Sequence, residues 1–170
     1  MFRYIPLMST LKPLIDAWDE AHREFAFAFQ GLPDEYLWRR AHPRLLSVGE
    51  LAGHVAYWQA VWTMGGGNSN PDFADFPMQS PLLNRTFRYY SVTLEEPIAL
   101  PIGSQEALRE VNRVHGAARS IAAEKELNEH YPGQWGTWGT FVQYQAFHVA
   151  YHTGQAYSVR HLMGHETEDN

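Results

Sequence analysis

Four stretches of this chain repeat apolar residues at steps of three and four, a period that commits them to amphipathic α-helices. The first runs from near Thr10 to Gly31-Leu32-Pro33, with Leu11, Leu14, Ile15, Trp18, Phe25 and Phe29 on one face. Pro13 falls in the first turn, where its missing N–H costs nothing, and Gly31 with Pro33 supplies a stop. The second opens on Ser47-Val48-Gly49-Glu50, the pattern of a capping box, and continues to about Met64 with Leu51, His54, Trp58 and Val61 facing inward. The third is expected from Gln105 to about Leu127, capped by Ser104, with Leu108, Val111, His115, Ala118, Ile121 and Ala122 inside. The fourth spans about Trp138 to Met163, with Thr137 as cap and Gly164 as C-terminal stop. Phe141, Tyr144, Gln145, His148, His152, Gln155, Val159 and Leu162 share one side of it.

The connections decide how such helices pack. Residues 32 to 46 form one link, with a short helical turn expected at Asp34 to Trp38. Residues 65 to 103 form a much longer one, opened by Gly65-Gly66-Gly67 and broken by Pro71, Pro77, Pro81, Pro97 and Pro101. Within it Phe87 to Leu94 alternates, and Ile98 to Leu100 is a second short apolar run. Pairing them across Glu95-Glu96-Pro97 would make a small hairpin, against which Pro97 counts. The expectation is an all-α chain, one domain over residues 1–170, folded as a four-helix bundle. A link as long as 65–103 can cross the whole bundle, so an up-down-down-up order is open to it.

Composition narrows the function. The chain has no cysteine, which removes disulfides, thiolate metal ligands and a catalytic thiol. A formal charge of −6 without a basic stripe argues against nucleic-acid binding. No apolar run is long enough to span a bilayer, and MFRYIPLMSTLKPL lacks the pattern of a secretory signal. The resulting expectation is a cytoplasmic protein with no nucleic-acid and no membrane partner.

Chemistry has to come from the bundle interior. His148 and His152 lie four apart in mid-helix, so their Cβ atoms stack roughly 5–6 Å apart on one face. Both imidazoles then reach one ion without bending the backbone, and neutral imidazole suits zinc, nickel, copper or iron. Nine histidines make one such pair unsurprising by chance, and His161 with His165 repeats the spacing across Gly164 at the helix end. The competing account of His148 and His152 is a pair of core histidines bonded to carbonyls or to Gln145 and Gln155. A third ligand is not selected by periodicity: His22, His54 and His115 each sit on the apolar face of their own helix. Val149 stands where a zinc protease would carry its glutamate, so that motif offers no general base. Glu50, one turn before His54, is the catalytic candidate, set against its role in the capping box. Tyr57, Tyr144 and Tyr151 are candidate pocket residues.

Two motifs then stand out in order: Leu45-Leu46-Ser47-Val48-Gly49-Glu50-Leu51-Ala52-Gly53-His54 and, after Thr137-Trp138-Gly139-Thr140, His148-Val149-Ala150-Tyr151-His152-Thr153-Gly154-Gln155. The sequence resembles the DinB-like superfamily of four-helix proteins, which includes thiol-dependent transferases. The resemblance implies an up-down-down-up bundle holding one divalent ion, zinc or nickel first, through His54, His148 and His152. It thereby selects His54 over His22 and His115. It also implies that Gly154 and Gln155 pack against or support the ligands, and that the protein forms a homodimer. A homodimer agrees with a fourth helix that is apolar nearly all round, with Phe147, Ala150, Gly154 and Tyr157 on its other side. Segment 65–103 departs from simpler members and is expected over the mouth of the site. The implied activity is transfer of a low-molecular-weight thiol to an electrophile, or hydrolysis by metal-bound water. The alternative is a non-enzymatic module, small-ligand-binding or stress-related and dimeric, with a structural or vacant metal site.

Overall fold

The computed structural model describes residues 10–66, 68, 71–88 and 97–167. Four long helices carry it: α1 (Lys12–Phe27), α3 (Val48–Thr63), α4 (Ser104–Ala123) and α5 (Trp138–Leu162), with the single-turn α2 (Asp34–Leu37) between the first two. Two 3-10 turns, Phe73–Asp75 and Arg85–Arg88, interrupt the long connection. Among the described residues there is no strand, only isolated bridges at Thr10–Glu126 and His130–Thr137. Each long helix packs against two others: α1 against α5 and α4, and α3 against α4 and α5. Trp18, Phe25, Phe29, Tyr57 and Phe141 fill the space between them. No helix among the described residues is long and apolar enough to cross a membrane.

Local chemistry explains the boundaries. Ser47 Oγ accepts the Glu50 N–H and Glu50 accepts the Ser47 N–H, so the capping box forms as expected. Thr137 caps α5 by accepting the Thr140 N–H, and Gly164, at φ +82°, closes its far end. The expected cap of α4 is corrected. Ser104 is its first helical residue, and the group at its N-terminus is Asp34, whose carboxylate accepts the Ser104 N–H at 2.7 Å. A negative side chain at the positive end of a helix is favourable wherever it comes from in the chain. The helix also stops at Ala123 rather than near Leu127.

The hairpin expectation is corrected where it can be read. Phe87 lies in the 3-10 turn and residues 97–100 form no strand, while residues 89–96 fall outside the described residues. Burial overrides the alternation. The Phe87 ring, 1% exposed, lies against Gly53, where an added Cβ would come within 2.3 Å of it. The Ile98 N–H is taken by the Glu50 carboxylate rather than by a strand partner. Leu162, expected inside, is 67% exposed; the buried place in that last turn belongs to Arg160, which donates to the Phe27 and Ala28 carbonyls at the end of α1.

Glu50 ties three parts of the chain together. Arg40 donates to both of its oxygens, at 2.8 and 2.5 Å, and the Ser47 and Ile98 N–H groups complete the set. Both side chains are buried, so removing one leaves an uncompensated charge in the interior. Replacing Glu50 by Ala is therefore expected to lower stability by about 3–5 kcal/mol in urea unfolding. A loss of only about 1 kcal/mol, the usual worth of a helix cap, would show that the ion pair contributes little.

Candidate metal centre

α3 and α5 bring His54, His148 and His152 together, all buried, with one ligand nitrogen from each within 4.8 Å of the others. The His148 and His152 rings lie 4.6 Å apart at 85°, and the His54 ring is 4.7 Å from His152 and 5.4 Å from His148. The outer nitrogens of His54 and His152 are held from behind, while His148 Nδ1 has no hydrogen-bond partner among the described residues. His54 Nδ1 is 3.1 Å from the Phe87 carbonyl, which can only accept, so the proton resides on Nδ1 and Nε2 keeps its lone pair. His152 Nδ1 is 2.6 Å from Gln155 Oε1 and is fixed in the same tautomer.

This arrangement fits a metal ion. His148 Nε2 and His152 Nε2 face each other at 3.2 Å. Two ligand nitrogens of a tetrahedral zinc, each about 2.0–2.1 Å from the ion, stand roughly 3.3 Å apart. The contact is satisfied by a cation between these nitrogens or by a neutral His148 that carries its proton on Nε2 and donates it to His152. A charged ring is disfavoured: burial first, then the neighbouring histidines, pushes His148 well below the usual imidazole range, and burial with His152 nearby pushes His54 down to about 3. His152 is lowered as well, again chiefly by burial. Three neutral imidazoles at neutral pH are the ligand form.

The other sequence candidates separate from this centre. His22 and His115 stack on each other at 3.8 Å between α1 and α4. His22 Nε2 meets Gln59 Oε1 at 2.7 Å, and His115 Nε2 meets Asp19 at 2.8 Å. His161 pairs with Thr167, and His165 packs edge-on to the Tyr36 ring. Among the described residues only His54, His148 and His152 form a group able to hold a metal. Glu50 is committed to Arg40 and two backbone N–H groups, which leaves its carboxylate no free acceptor to serve as a base. Gln155 supports His152 as expected. Gly154 does not pack: it is exposed, and an added Cβ would meet nothing within 4 Å. Gln145, the other candidate partner of the histidines, has no hydrogen bond on either side-chain atom among the described residues.

A cavity of about 380 Å³ opens over the triad. Tyr144 and Tyr151 line it as expected, whereas Tyr57 is fully buried against Phe73. Trp58, expected on the inner face of its helix, Phe147, expected on the other side of the fourth, and Trp62, not singled out from sequence, complete the wall. The signal for Trp62 was present, since His54, Trp58 and Trp62 recur every four residues along one helix face. Trp135, from the loop before α5, stacks on Tyr144 at 4.0 Å. No described side chain lining the cavity is charged. The long connection reaches the site through Phe87, whose carbonyl holds His54, and through Arg88, whose carbonyl accepts the Trp58 indole N–H at 3.1 Å.

Buried neutral histidines also set a pH dependence. A folded pKa depressed below the unfolded value means that the unfolded chain takes up protons first as pH falls. The contribution of His54 is whole above 6.5 and is lost between 6.5 and about 3. His22 and His148, also lowered chiefly by burial, act in the same direction. The metal-free protein should therefore lose stability steadily on acidification below 6.5, by roughly 1.4 kcal/mol per pH unit for each such histidine. A urea midpoint that stays flat from pH 6.5 to pH 5 would contradict the burial of these rings.

Residues 17–156 match the family model of the DinB superfamily. No curated protein and no solved structure matches the chain. The matched span holds most of α1, all of α3 and α4, and every histidine of the triad, so the chain belongs to the DinB superfamily.

Proposed function

We propose that this protein binds one divalent metal ion through His54, His148 and His152 and acts as a metal-dependent enzyme on a small molecule held in the aromatic cavity. The observation that carries the reading is the convergence of three neutral imidazole nitrogens at the floor of an open cavity. Three protein ligands facing a cavity leave a coordination position for a substrate, as catalytic sites do and closed structural sites do not. An ion held there would lower the pKa of a thiol or water and polarise an electrophile. Transfer of a small thiol to an electrophile is favoured over hydrolysis, because the described lining offers no carboxylate to serve as a general base. Trp58, Trp62 and Tyr144 would exclude water and hold the acceptor, while Gln155 and the Phe87 carbonyl keep His152 and His54 oriented. Zinc and nickel are the ions that this all-nitrogen donor set suits first.

The fold reading that accompanies this function is an up-down-down-up four-helix bundle. Contacts between helix ends support it. Tyr157 and Arg160, late in α5, bond to Glu24 and Phe27, late in α1. Thr10, just before α1, pairs with Glu126, just after α4. Trp62, at the end of α3, packs on Tyr144, early in α5. A homodimer is part of the same proposal, with the exposed Phe147 and Leu162 of α5 as apolar surface for it.

Metal analysis after reloading with zinc or nickel and dialysis tests the reading. Wild type should retain about one ion per chain, and His148→Ala or His54→Ala should lose it, since removing a ligand costs far more than the 10–100-fold typical of a supporting residue. His115→Ala should bind as wild type does. Metal-free wild type, or loss of metal in His115→Ala but not in His54→Ala, would overturn the assignment.

A further inference from the structure

Tyr151 is a shared wall. On one side lies the cavity over the triad, and on the other a second cavity of about 380 Å³ between the start of α3 and the second half of α5. Leu45, Leu46, Leu51 and Val159 give the second cavity an apolar lining. Arg44 is the one charged residue among those that line it, and its guanidinium makes no hydrogen bond or ion pair among the described residues.

Gly154 also opens onto this cavity. A glycine in mid-helix costs about 1 kcal/mol relative to alanine, and close packing of a neighbour is the usual compensation. Gly154 has no such neighbour, because an added Cβ would meet nothing within 4 Å. The space it leaves belongs to the cavity, where a ligand could approach the backbone. Tyr151 Oη accepts from Gln155 Nε2 at 3.3 Å, which leaves the phenol's own proton to donate into the pocket.

We infer that this cavity is a binding site for a small carboxylate with an apolar body, its anionic head on Arg44 and its hydrocarbon part over Gly154 against the leucines. An arginine fork matches a carboxylate in geometry as well as charge. The volume lies in the lower part of the roughly 300–1,000 Å³ range of small-molecule sites. The inference goes beyond the metal reading and does not rest on it, because the cavity needs no ion to exist. The two sites share Tyr151, and Gln155 links that residue to His152.

Calorimetric titration of metal-free protein with 4-phenylbutyrate and its uncharged amide tests the site. Wild type should bind both saturably and prefer the acid by about fivefold, the upper worth of an exposed ion pair. Arg44→Gln should bind acid and amide alike. Gly154→Leu should bind neither while keeping the wild-type circular dichroism and an unfolding midpoint at or above that of wild type, since the added side chain projects into open space and replaces a mid-helix glycine. Absent saturable binding in wild type, equal binding of acid and amide there, or wild-type binding in Gly154→Leu would each overturn the inference. So would a wild-type dimer that dissociates in Gly154→Leu, which would give the cavity to a second copy of the chain. The same titration with zinc-loaded protein should give the same preference, so failure of the metal reading and failure of this site are separable.

Discussion

Three imidazoles point their free nitrogens at one place between α3 and α5, and two of those nitrogens are 3.2 Å apart. Burial penalises charge on these rings, so they are neutral, and their contact is met by a proton on His148 Nε2 donated to His152 or by a divalent cation between them. The surrounding structure keeps the ligand nitrogens aimed where such a cation would sit. The Phe87 carbonyl and Gln155 fix the tautomers of His54 and His152 from behind, so neither ring can turn its lone pair outward without breaking a buried hydrogen bond.

The supports come from distant parts of the chain. The Phe87 ring can lie on α3 only because residue 53 has no side chain, and it is this contact that brings the Phe87 carbonyl to His54. Glu50 and Arg40 pin the start of α3 to the link before it and to Ile98 at the end of the long connection. Asp34 pins α2 to the start of α4. The irregular segments are thus bound to the bundle through buried polar groups. Arg160 closes the same end in the same manner by satisfying carbonyls at the end of α1.

Much of this was legible in the sequence because it depends on local rules. Periodicity located the four long helices, Ser47 with Glu50 and Thr137 announced their own caps, and the spacing of His148 and His152 put them on one face. What failed was long-range. Ser104 looked like a cap, but the carboxylate of Asp34 does that work from a separate helix. Phe87 was expected to open a strand, but it lies in a 3-10 turn with its ring buried against Gly53, and the rest of that alternation falls outside the described residues. Periodicity left His22, His54 and His115 level, because an apolar helix face does not say which neighbour it meets. Family resemblance chose His54, and the packing of α3 on α5 supplies the physical reason, while His22 and His115 stack elsewhere, bonded to Gln59 and Asp19 respectively.

The central claim is that the triad holds a metal ion with a position left open toward the aromatic cavity. X-ray absorption on zinc-loaded protein measures this directly. The account predicts three imidazole nitrogens at about 2.0–2.1 Å and one exchangeable oxygen donor that small thiols replace with sulfur at about 2.3 Å. A shell with fewer than three imidazoles, or a fourth protein ligand that no thiol displaces, would contradict it.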